Sequence, residues 1–110
     1  KLIDLDKVDI VVSPYGTNLI APAMPVVMQK GMTMMSLFGV GVNKQFNYDR
    51  YFQIMPLGVE SGHAIPNAFF EVVKTLNPKP TSIAIVGADA EFGKITSDAA
   101  RDIAKKMGLR

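Results

Sequence analysis

Three short stretches of the chain hold residue types suited to gripping a small molecule. The first is Ser13-Pro14-Tyr15-Gly16-Thr17-Asn18. Gly16 lets a ligand come close to the backbone, and the Thr17 hydroxyl can donate and accept. A helix starting just after this turn would aim N–H groups and its positive dipole end at the same spot, which suits a carboxylate. Thr17 or Asn18 can equally serve as that helix's N-cap. The second stretch is Phe38-Gly39-Val40-Gly41. Its two spaced glycines leave backbone groups open to a ligand or simply make a flexible loop. It is not a dinucleotide fingerprint, because G-x-G-x-x-G is incomplete and no helix clearly follows. The third is Ala88-Asp89-Ala90-Glu91-Phe92-Gly93. Phe92 can be an aromatic wall for a ligand or a ring packed under the next helix.

Reactive groups are sparse around these stretches. Asp89 and Glu91 form an acid/base couple only if they share a substrate, and solvation is the plainer expectation. His63 is the single histidine and the chain has no cysteine. That makes a metal site a poor expectation and excludes disulfides and a cysteine nucleophile. No Ser-His-Asp order is supported. The chain is therefore expected to bind without catalysing, and to need no cofactor.

The elements that must carry these loops follow from the apolar pattern. The 110 residues are 48% hydrophobic and 20% charged, the composition of one small globular domain. A net charge of +2, with no basic stripe carrying interleaved aromatics, argues against nucleic-acid binding. Apolar runs such as residues 83–86 fall far short of the roughly 20 residues a spanning helix needs, so no membrane insertion is expected. Residues 8–12, 32–37, 50–55 and 82–87 read as strands. Residues 19–30, 61–76 and 94–107 read as helices, the first disturbed by Pro22 and Pro25. Residues 38–43 and 88–93 read as loops. Met24, Met28, Met32, Met34 and Met35 read as core filling. Alternating strands and helices predict an α/β fold, a parallel sheet with helices on both faces. Ligands of such sheets sit beyond the carboxyl ends of the strands, where the three loops fall. The alternation breaks at residues 53–58, a candidate hinge or domain boundary. Residues 1–4 read as the tail of a helix, and Gly108 as a helix C-cap before a further strand. Both ends are expected to be cuts within a longer chain.

In order and spacing these segments resemble the type I periplasmic solute-binding proteins of ABC importers, specifically the leucine/isoleucine/valine-binding family. Val8-Asp9-Ile10-Val11-Val12-Ser13-Pro14-Tyr15-Gly16-Thr17 is similar to the family's "VDA-hydrophobic-GPYSS" strand and loop. Ala21-Pro22-Ala23-Met24-Pro25-Val26 is similar to its alanine-rich helix with a proline, and Gly31-Met32-Thr33-Met34-Met35-Ser36 to "GIPLIS". Tyr51-Phe52-Gln53-Ile54-Met55-Pro56 resembles the segment crossing between lobes. Ser82-Ile83-Ala84-Ile85-Val86, then Glu91-Phe92-Gly93, resembles "kvAii…YG".

The resemblance implies a fragment of a two-lobed periplasmic binding protein type I fold. Residues 1–56 would be the later part of lobe one and residues 57–110 the first part of lobe two. It implies an extracytoplasmic solute-binding subunit, periplasmic, that docks on the membrane permease of an ABC importer. Carried onto this chain, the ligand-binding positions are Tyr15, Gly16, Thr17, Asn18, Gly39, Val40 and Phe92. The family's solutes are amino acids. Here Gly16 lacks the second serine hydroxyl, Val40 stands where threonine is common, and Phe92 lacks the tyrosine OH. A site with fewer polar groups suits a less polar solute, such as a hydrophobic or aromatic carboxylate. A ligand-sensing receptor domain of the same fold is the alternative. A nucleotide-dependent enzyme of doubly wound fold would need a complete phosphate loop or a catalytic triad, and the chain shows neither.

Overall fold

The computed structural model describes residues 1–110 and divides them into two compact units, Lys1–Pro56 and Leu57–Arg110.

The first unit is built on a parallel sheet of three strands in the order β1-β2-β3: Ile10–Val12, Thr33–Ser36 and Tyr51–Gln53. Val11 lies opposite Met34, which lies opposite Tyr51. The strands are shorter than predicted. Lys7 turns the chain with a positive φ of 54°, so the ladder starts at Ile10. Helical backbone runs from Thr17 to Gln29 in three pieces: α1 (Thr17–Ile20), a 3-10 turn (Ala21–Ala23) and α2 (Met24–Gln29). Pro22 and Pro25 each sit in the first positions of a piece, where a missing N–H does least harm. Ile20, Met24 and Val27 fall at i, i+4 and i+7 and form one buried stripe, which packs on Met34 and Val42.

The predicted loop over residues 38–43 is in part helical. α3 spans Val42–Phe46, started by Gly41 and stopped by Asn47, both left-handed. Asn43 closes the turn into β3, accepting from Tyr48 N–H at 2.8 Å and donating to its carbonyl at 3.0 Å.

Within this unit helices cover one face of the sheet, not the predicted two. Both crossovers step the same way across it, and crossovers of one hand that do so lie on one face. Val42 and Phe46 accordingly join the same core as the α1–α2 run. The other face carries Ile10, Val12 and Phe52 at 52%, 71% and 56% exposure, with Met35 beside them. Met35 is therefore not core filling: successive strand residues point to opposite faces, and Met34 holds the buried one.

The second unit pairs two helices, α4 (Ala64–Val73) and α5 (Glu91–Lys106). Their core is Phe70, Val73 and Ala104, with Ile83, Ala100, Ile103 and Met107 against it. Residues 82–87 do not form the predicted strand. A strand needs a partner, and this segment has one residue's worth: Arg110 N–H donates to Thr81 O at 3.1 Å and Ile83 N–H to Arg110 O at 2.8 Å. That slanted pair is one rung of a parallel ladder with Ser82 opposite Arg110. No helix of the chain is long and apolar enough to cross a membrane.

Candidate functional site

At the carboxyl ends of β1, β2 and β3 the structure gathers Tyr15, Gly16, Thr17, Asn18, Gly39 and Val40. The polypeptide leaves β1 in an extended turn, with Ser13 N–H donating to Met35 O at 2.9 Å. Gly16 sits at φ 99°, ψ 145°, outside the range side-chain-bearing residues favour, and precedes α1 as its N-cap. Its N–H donates to Phe38 O at 3.0 Å, tying the first loop to the second. No side chain caps α1. The Thr17 hydroxyl works elsewhere. It accepts from Val40 N–H at 2.8 Å and donates toward Val40 O at 3.4 Å, and both residues are buried. Neither the capping role nor an open solute-facing hydroxyl describes Thr17 here; its hydroxyl latches two loops together.

Gly39 is small for a packing reason. A Cβ there would meet Val42 Cγ2 at 2.9 Å, Tyr51 Oη at 3.0 Å and Ile20 Cδ1 at 3.1 Å. Its N–H donates to Gln53 Oε1 at 3.1 Å. The same oxygen accepts from the Tyr51 phenol at 3.2 Å, and the Gln53 amide donates to Met55 O at 2.6 Å. Burial pushes the Tyr51 phenol above its ordinary value near 10.0, and the Ser36 hydroxyl beside it pulls the other way. Ser36 Oγ is itself fully buried and makes no hydrogen bond of good geometry.

Solvent reaches this edge at Tyr15, Asn18 and Leu37. The Tyr15 ring stacks on Phe38, centroids 5.4 Å apart and planes 14° from parallel. The edge thus offers an exposed aromatic ring and an exposed carboxamide above a neutral hydrogen-bonded floor, buried at Thr17, Gly39 and Val40 and half-buried at Tyr51 and Gln53. Gln53, Tyr51 and Ser36 were not singled out from sequence. The signal was present, since Tyr51 and Gln53 alternate with Phe52 and so share the covered face, but it emerges only with the strand register in hand.

Phe92 lies in the second unit, in the first turn of α5 and not in a loop. It is half-buried and lines an apolar groove of about 360 Å³ with Ile65, Phe69, Val86 and Ala100. The Thr96 hydroxyl, on the same wall, donates to Phe92 O. Gly93 is there because a Cβ would strike the Ala88 carbonyl. Asp89 is solvated and pairs with Lys94 at 2.8 Å; Glu91 is an exposed acid in the first turn of α5. His63 stands at the N-cap position of α4, its Nδ1 3.5 Å from Glu60. No three His, Cys, Asp or Glu side chains gather as a metal site.

Comparison of the chain with protein-family models, curated proteins and solved structures returned no match.

Proposed function

We propose that this chain is part of an extracytoplasmic solute-binding subunit of an ABC importer, of the type I periplasmic binding-protein fold. In this reading Lys1–Pro56 belongs to lobe one and Leu57–Arg110 to lobe two, and the subunit delivers its solute to a membrane permease without chemical turnover. The observation that carries the proposal is the tying together of the loops after β1 and β2. Gly16 N–H on Phe38 O and Thr17 Oγ1 on Val40 N–H hold them as one ledge at the carboxyl end of the sheet. That is where open α/β sheets take ligands.

The chemistry of the ledge favours a particular kind of solute. Its accessible groups are the Tyr15 ring, the Leu37 side chain and the Asn18 carboxamide, while the Thr17 hydroxyl faces Val40. A flat apolar body with one polar end suits such a surface better than a densely polar amino acid does. A hydrophobic or aromatic carboxylate is the solute class we assign.

Differential scanning fluorimetry of the protein against aliphatic amino acids, aromatic amino acids and aromatic carboxylates tests the reading. A concentration-dependent rise in Tm with an aromatic carboxylate, lost in Tyr15→Ala, is the expected result. No shift with any of these compounds would remove its main support.

A further inference from the structure

We propose that Gln53 is a positioning residue, a relay that couples the ligand ledge to the polypeptide leaving the first unit. Its side chain is held at both ends. At one end Oε1 accepts from Gly39 N–H at 3.1 Å and from the Tyr51 phenol at 3.2 Å. At the other Nε2 donates to Met55 O at 2.6 Å, one residue before the unit ends at Pro56. Gly39 adjoins Val40, whose N–H is on the Thr17 hydroxyl. Hydrogen bonds joined through the Gly39–Val40 backbone therefore run from the turn after β1, through the loop after β2, to the segment after β3. Gln53 is the one side chain bonded to both the loop and that exit segment. An amide suits this place because it accepts on one atom and donates on the other.

The local backbone leaves the relay little slack. Ile54 N–H donates to Ser36 O at 2.8 Å, so β3 stays registered on β2 up to the residue after Gln53. Gly39 is walled in by Val42, Tyr51 and Ile20. A displacement of the Gly39–Val40 backbone is thus passed to the Gln53 amide and from there to Met55. The relay itself stands whatever solute the ledge takes. Its use in lobe closure rests on the function proposed above, and the test below needs no solute, so either can fail without the other.

Gln53→Glu separates the two ends. At pH 8 an ionised carboxylate still accepts from Gly39 N–H and Tyr51 but cannot donate to Met55 O. In the isotope-labelled chain, the Met55 carbonyl ¹³C shift reports the exit end and Gly39 amide exchange reports the loop end. Gln53→Leu is expected to speed Gly39 exchange by roughly tenfold or more, with Gln53→Glu staying within about twofold of wild type. Thr17→Val, which loosens the latch on Val40, is expected to move the Met55 carbonyl shift in the wild-type background and not in Gln53→Glu. If Thr17→Val does not fold, Tyr15→Leu, which strips the ring stacked on Phe38, is the perturbation instead. A Met55 response of equal size in both backgrounds, or none in either, overturns the relay.

Discussion

The Thr17 hydroxyl and the Val40 backbone are bonded in both directions, Val40 N–H to Oγ1 at 2.8 Å and Oγ1 to Val40 O at 3.4 Å. Thr17→Val keeps the shape and deletes the oxygen, leaving a buried N–H unpaired. We expect a loss of about 1–3 kcal/mol in urea denaturation, largely restored by Thr17→Ser. A valine variant as stable as wild type beside a destabilised serine variant would mean that the methyl group, not the hydroxyl, is what the site needs.

Ser36 presents the opposite case. Its hydroxyl is buried without a hydrogen bond of good geometry, so it has been desolvated for little return. Ser36→Ala is expected to be neutral or to stabilise by up to about 1 kcal/mol. A drop of that size would show that the hydroxyl has a partner in solution, the Tyr51 phenol being the nearest candidate.

Tyr51 sets an alkaline limit. Burial raises its phenol above the ordinary value near 10.0, so above that pH the unfolded chain gives up a proton the folded chain keeps. The stability this contributes is complete below about pH 10 and is lost as the pH climbs through the folded value. Chemical denaturation between about pH 9 and about pH 11 should show a shallower decline in Tyr51→Phe than in wild type. Parallel declines would place the titration elsewhere.

Two neighbouring methionines test the sheet's faces. Met34 is fully buried and Met35 is 39% exposed, so truncating them should differ sharply. Met34→Ala should cost about 2–5 kcal/mol. Met35→Thr should stay within about 0.5 kcal/mol of wild type. Similar losses would mean that both faces of β2 are packed.

Gly39→Ala forces a methyl group against Val42, Tyr51 and Ile20, all within 3.1 Å of where it would sit. We expect a loss of about 1–3 kcal/mol, and a weaker response to any solute, because Gly39 N–H would be pushed from Gln53. A neutral substitution would show that the loop relaxes freely.

Much of the first unit was legible in residue order. The apolar runs ending at Val12 and near Ser36, and the turn residues after them, place the loops at the correct strand ends. Ile20, Met24 and Val27 announce their helix face by spacing. The internal use of Thr17 was not legible, because a hydroxyl has the same chemistry whether its partner is a solute or a backbone 23 residues away. Residues 82–87 misled for a related reason: β-branched residues signal a pleated, half-buried surface, while a strand also requires a neighbour that composition does not reveal. α5 begins three residues earlier than the apolar pattern suggests, enough to move Phe92 from loop to first turn.

The uncovered row Val12, Met35 and Phe52 has a thermodynamic consequence beyond the fold. Whatever covers that row in the folded chain but not in the unfolded one adds RT ln(1 + [L]/Kd) to the free energy of unfolding. A melting temperature for this polypeptide is then a joint property of the chain and its solution. It is expected to rise when a mild amphiphile is titrated in, and to stand still under the same titration once Phe52 and Met35 are both threonine.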